Sequence, residues 1–141
     1  MKGTKLFAGL FVVAVMVVVF VSSCSKSTTN PNAAFIGTYY GTETDVANTI
    51  TDTITITAGS SSSAIALAAK TSAGTSYPFT ATVSGSALTI PMQPIDYTTT
   101  SYTIVDSISG SGSLTGSTLQ MNYTIKTSGG SPNWQYTGTK Q

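Results

Sequence analysis

The side chains able to do chemistry in this 141-residue chain are few, and most are carboxylates. Glu43, Asp45 and Asp52 fall close together and Asp96 and Asp106 lie further on; histidine and arginine are missing, and Cys24 is the one cysteine. Without histidine neither a Ser-His-Asp nor a Cys-His nucleophile can be assembled, and zinc sites of the usual Cys/His kind are excluded with them. Paired carboxylates are the remaining route to acid–base work of the glycosidase type. Three oxygen donors around one turn would also suit a hard cation such as calcium. Glu43, Asp45 and Asp52 lack the spacing of a cation-binding loop, however, and Glu43 and Asp45 read equally as solvated charges at strand ends. No catalytic residue, metal ligand or cofactor is therefore assigned, and the chain is expected not to be an enzyme.

Asp106 has the same parity as Ile104 and Ile108, so strict strand alternation turns it inward. A carboxylate there would need partners and could anchor a ligand. A bulge over residues 105–107 would instead turn it outward and give Val105 the core position, and an exposed rim is the third option. Tyr102, Tyr123 and Trp134, with Tyr40, Tyr77, Tyr97 and Tyr136, supply aromatic surface. Such rings pack a core, or at a barrel mouth stack on sugars or line an apolar pocket. Asp106, Tyr102, Tyr123 and Trp134 are thus the candidate ligand-binding residues.

The elements that must position them are strands. From Phe35 onward Thr or Ser alternates with Ile, Val, Leu, Tyr and Phe, and Ser plus Thr number 46 in the chain while charged residues make up 8%. Threonine favours strands and here takes the solvent face that charge usually occupies. No window beyond the N-terminal apolar run has helical periodicity. A two-residue turn at Gly85-Ser86 sets Val83 against Leu88, Ala81 against Ile90 and Phe79 against Met92, all on one face. Gly116-Ser117 likewise sets Leu114 against Leu119, Gly112 against Met121, Gly110 against Tyr123 and Ile108 against Ile125. Glycines opposite Met and Tyr signal large-against-small packing or sharply bent strands. A four-residue loop at 59–62 would pair Ile56 with Ile65 and Ile54 with Leu67. The sequence therefore predicts an all-β fold, an antiparallel up-and-down meander of about eight strands (37–45, 50–58, 63–69, 77–84, 87–93, 101–115, 118–127, 133–139). Closure into a barrel removes the sheet edges; a β-sandwich is the alternative.

Ahead of this domain Lys2 and Lys5 precede the uncharged run 6–21, which ends in Val21-Ser22-Ser23-Cys24. Charged, apolar and small-residue segments in that order make a secretory signal. As a helix the run would reach roughly 24 Å at about 1.5 Å per residue, short of a hydrocarbon core of about 30 Å. Val21-Ser22-Ser23-Cys24 resembles the lipobox of bacterial lipoproteins. That resemblance implies cleavage before Cys24, acylation of Cys24, and membrane attachment through the acyl chains, which contribute about 0.8 kcal/mol per buried methylene. It divides the chain into a signal peptide (1–23), a lipidated cysteine with a flexible tether (24–34) and a barrel domain (35–141). Ser25 and Lys26 follow Cys24, without the aspartate that in lipoproteins marks inner-membrane retention, so the expected address is the cell envelope, at the outer membrane.

Cleavage would leave 118 residues, one small domain, with Lys26, Lys70, Lys126 and Lys140 against five acids. Phosphate contacts need clustered basic residues, so nucleic acid is not an expected partner, and a monomer is. Gly37-Thr38-Tyr39 resembles the Gly-x-Trp opening of lipocalins and related calycins, with Tyr39 in place of Trp. That resemblance implies a basic residue after the last strand packed on this ring, for which Lys140 is the candidate. It also implies a binding module for a small apolar or amphipathic ligand. The alternative is a structural or interaction lipoprotein with a filled core that contacts a membrane complex or glycan.

Overall fold

The computed structural model describes residues 30–72, 74–98 and 103–141. The apolar leader, Cys24 and Tyr102 lie outside them. Eight strands follow in order: β1 (Gly37–Thr44), β2 (Thr49–Ala58), β3 (Ala64–Thr71), β4 (Ser76–Ser84), β5 (Ala87–Thr98), β6 (Thr103–Thr115), β7 (Thr118–Lys126) and β8 (Asn133–Lys140). Each pairs antiparallel with the next, and β8 pairs back onto β1, so the meander closes into a barrel. Closure leaves no open edge to recruit another chain.

Alternation drives this closure. In β4, Tyr77, Phe79, Ala81 and Val83 point in while the residues between them are exposed. The same period runs through β2 (Asp52, Ile54, Ile56), β3 (Ile65, Leu67, Ala69) and β7 (Leu119, Met121, Tyr123, Ile125). Each fully buried aliphatic side chain contributes roughly 1.5–3 kcal/mol, and this core is what holds a disulfide-free domain together.

Register follows the turns, with two corrections. The hairpin at Gly116 pairs Leu114, Gly112, Gly110 and Ile108 with Leu119, Met121, Tyr123 and Ile125 as expected. Gly85 and Gly116 both stand at φ 59, the left-handed region that primed two-residue turns require. Between β2 and β3, however, Ile56 pairs with Leu67 and Ala58 with Ile65. The loop sits one residue later than expected, closed by Gly59 N–H donating to Ala64 O at 2.9 Å. Parity is kept, so the buried set is unchanged. The second correction concerns Met92, which does not face Phe79 but is exposed. Partners of β5 shift between Ile90 and Gln93 against β6, so a bulge at Pro91-Met92 reverses parity and makes Ile90 and Ile95 the inward residues. Proline has no N–H for the ladder, which makes a bulge its natural place. The β4–β5 ladder is irregular here too, and the Gln93 side chain fills the gap: its Nε2 donates to Thr80 O at 2.7 Å and its Oε1 accepts from Thr80 N–H at 2.9 Å.

One end is shut. Residues 31–35 form a turn that brings Phe35 over the interior, fully buried together with Tyr39. Asn32, in the stretch read as tether, is also buried and donates to Ala64 O at 3.1 Å. Tyr39 Oη donates to Phe35 O at 2.9 Å and Tyr136 Oη to Tyr39 O at 3.0 Å. Lys140 Nζ donates to Ala34 O at 3.0 Å and lies 6.0 Å from the Tyr39 ring centroid. Its stem crosses Gly37, where any Cβ would collide with Lys140 Cε.

Elsewhere glycine lets the wall turn corners. A side chain on Gly110 would overlap the backbone of Asn122 and Tyr123, one on Gly41 the backbone of Thr137 and Gly138, and one on Gly138 the ring of Tyr136. The sheet is folded tightly on its inner side at β6–β7 and β1–β8, and Tyr136 lies along the space that Gly138 leaves.

Candidate functional site

Among the described residues the end opposite Phe35 is open and acidic. It is built first by β1 and β2: Gly41 pairs with Asp52 and Glu43 with Ile50, so Glu43 and Asp52 are diagonal neighbours on the inner face. Both share the parity of the core residues Tyr39 and Ile54, and they are only 3% and 1% exposed respectively. The expectation of a solvated strand-end charge therefore fails for Glu43. Asp45 is half-buried in the β1–β2 turn, where its Oδ1 accepts N–H bonds from Ala47 and Asn48 at 2.7 and 2.5 Å.

Opposite strands complete the site. Tyr77 on β4 donates its hydroxyl to Glu43 Oε1 at 2.9 Å. Tyr123 on β7 lies 3.2 Å from the same hydroxyl; with the Tyr77 proton directed at Glu43, Tyr123 is the donor. The chain Tyr123–Tyr77–Glu43 crosses the interior and favours a charged Glu43. Burial opposes it more strongly: desolvation, with the Asp52 charge in second place, raises the Glu43 carboxyl from 4.5 to about 7 against the lowering effect of Tyr77. Asp52 Oδ1 accepts the Lys70 backbone N–H at 3.1 Å, while its Oδ2 is buried without a partner. Desolvation raises this carboxyl from 3.8 to about 6, backbone N–H groups of Thr53 and Lys70 working against it. Tyr136 is raised as well, by burial first and then by the two acids.

Above Glu43 lies a cavity of about 200 Å³, lined also by Ile50, Thr71, Tyr77, Ile125 and Trp134. It is an apolar cup with one carboxylate and phenol in its floor, below the roughly 300–1,000 Å³ of drug-sized pockets. A larger, open groove of about 650 Å³ runs past Asn122, Thr124, Asn133 and Gln135 to Asp45, and Trp134 borders it too. Its amide and hydroxyl lining carries no charge beyond Asp45, whose carboxylate is already engaged by the turn.

Of the four sequence-predicted ligand residues, Tyr123 and Trp134 meet at the mouth. Asp106 is half-buried and pairs with Ile95 on the β5–β6 side; the bulge lies in β5, not at residues 105–107, and Asp106 keeps inward parity near the rim without lining the cavity. Tyr102 lies outside the described residues. Glu43, Asp52 and Tyr77 are not among the binding residues that sequence reasoning selects, although the alternation of Asp52 with Ile54 and Ile56 carries the signal. Among the described residues no three metal-ligating side chains cluster.

No protein-family model matches this chain, and no curated protein matches it.

Proposed function

We propose that this chain is a lipid-anchored envelope lipoprotein, held at the outer membrane by acyl chains on Cys24, whose barrel is a non-enzymatic binding module for a small amphipathic ligand. The observation that carries the reading is the cup over Glu43, in which apolar walls from Ile50, Ile125 and Trp134 surround one polar floor. The interior below it is filled by Phe35, Tyr39, Ile54, Ile56 and Leu67, so a long acyl chain cannot be swallowed and only a short ligand fits.

Orientation supports a ligand taken from the aqueous side. The chain enters the barrel at its closed end, through Asn32 and Phe35, while Cys24 to Asn32 reaches at most about 30 Å fully extended. A domain anchored at Cys24 then presents its closed end towards the bilayer and its mouth away from it. Replacement of Cys24 by Ala is expected to abolish incorporation of labelled fatty acid and leave the protein unprocessed or soluble. Persistent acylation and unchanged partitioning into detergent would refute the anchor.

A thermal-shift screen of the full chain with short amphiphiles, fatty acids and glycans tests the binding module. A mouth ligand at a hundredfold excess over its Kd stabilises by about 2.7 kcal/mol, and Trp134→Ala should weaken that shift. The interaction-lipoprotein reading is favoured by the filled core and by the amide-lined outer groove. A shift only with glycans, sensitive to Asn122→Ala or Gln135→Ala and not to changes at the mouth, would support it instead.

A further inference from the structure

We propose that the mouth is a site for a protonated amine, with Glu43 as its counter-ion and the walls formed by Ile50, Ile125 and Trp134 holding a short apolar stem. The inference rests on reading the mouth as the binding site and names the ligand class that site would take.

Charge placement leads to it. Two carboxylates are buried in the barrel, yet the lysines of the described residues are elsewhere: Lys70 and Lys126 are exposed on the outer wall, and Lys140 is engaged at the closed end by Ala34 O and the Tyr39 ring. A buried carboxylate without a cation is costly, and the cost is relieved by a proton or by a cation from outside. Asp52 Oδ2, buried and without a partner, shows that the protein's own groups leave acceptor capacity unused beside Glu43. An ammonium offers three donors, and its charge is further stabilised over an indole face such as that of Trp134. A divalent metal suits the site less well: calcium takes about six to eight oxygens, and two carboxylates with phenols do not make such a cage. The small volume selects for short or compact amines, and a carboxylate-bearing ligand would be repelled.

Proton balance gives the site a distinctive signature. Near neutral pH part of the protein carries a proton on Glu43, which is held up at about 7. An ammonium that binds the carboxylate displaces that proton to solvent, so affinity should rise from pH 6 to 8. It should fall again only where the amine itself loses its proton, near about 10. The other titratable groups around Glu43 are Asp52 on β2, Tyr77 on β4, Tyr123 on β7 and Tyr136 on β8, with Asp106 half-buried at the β6 rim. Tyr136, raised further by burial, stays neutral over this range, and Asp52 titrates earlier, at about 6.

The test is calorimetry on the full chain in nonionic detergent with butylamine, butanol and butyrate, all too short to form micelles. At pH 8 butylamine should bind at least tenfold more tightly than butanol, and butyrate not measurably. At pH 6.5 amine binding should release a fraction of a proton, read from the dependence of the heat on buffer ionisation. Glu43→Gln keeps an acceptor for Tyr77; it should cost butylamine at least tenfold, remove its preference over butanol and abolish the proton release. Equal binding of butylamine and butanol, or no proton release in the wild type, would overturn the amine assignment while leaving the mouth as a binding site. Failure of all three compounds would overturn both.

Discussion

The thermal midpoint of the protein is expected to rise as the pH falls from 8 to 5, against the usual loss of stability in acid. Glu43 and Asp52 are the cause. In the unfolded chain they titrate near 4.5 and 3.8, and in the barrel burial holds them at about 7 and about 6. The native state therefore binds more protons than the unfolded state between about pH 4 and 7, and stability must decline with rising pH across that window. The contribution is fully present below about pH 4 and is lost as the pH rises through 6 and 7. Each tenfold gain in proton affinity on folding corresponds to about 1.4 kcal/mol. The two carboxyls interact, so their effects do not add in full, and the pair contributes on the order of a few kcal/mol. For a domain of this size that is a change of roughly 10 °C in Tm. Glu43→Gln should raise Tm at pH 8 and flatten the profile, because the amide keeps an oxygen for Tyr77 and carries no charge. Calorimetric or circular-dichroism melts from pH 5 to 8 check this. A midpoint that is flat, or that falls towards pH 5, would show that these carboxylates are solvated or paired.

A second large effect is expected around the β5 bulge. Ile95→Asp places an unpaired charge among Ile108 and the other core residues and should cost about 3–5 kcal/mol, a large share of a typical domain stability of about 5–15 kcal/mol. Met92→Asp, three residues away, should change stability by no more than about 0.5 kcal/mol, since Met92 is exposed. Uninterrupted alternation from Ile90 predicts the reverse, with Met92 inside and Ile95 outside. Urea denaturation of the two variants separates these alternatives, and a severe loss with Met92→Asp alone would place the bulge elsewhere.

The bulge also shows where the sequence stops being legible. Turn glycines and alternating Thr with Ile or Val are local signals, and they locate the Gly85 turn and the complete Gly116 register. Alternation fixes parity but not the absolute offset, so matching Ile56 to Ile65 is two positions out of register without exposing either. Pro91 and Pro94 carry the warning of a broken ladder, but whether a bulge lies in one strand or its neighbour depends on pairings far apart in the chain. The same limit hides the site. Parity alone puts Asp52 inside with Ile54 and Ile56, and Glu43 inside with Tyr39, yet carboxylates near a turn are normally solvated. What buries them is the far wall, where Tyr77 and Tyr123 close over the space 34 and 80 residues further on. Asp106, which parity also turns inward, lies at the rim and not in the cup. The packing of Lys140 on Tyr39 is legible because Lys140 is the one cation of the last strand.

Glu43 is the only glutamate in the chain, so labelling glutamate with carbon-13 at the side-chain carboxyl gives a single signal to follow against pH. With the carboxylate buried at the mouth and donated to by Tyr77, that signal should titrate with a midpoint of about 7. A midpoint near the ordinary 4.5 would mean a solvated strand-end charge, and would remove the acidic floor on which the binding site depends.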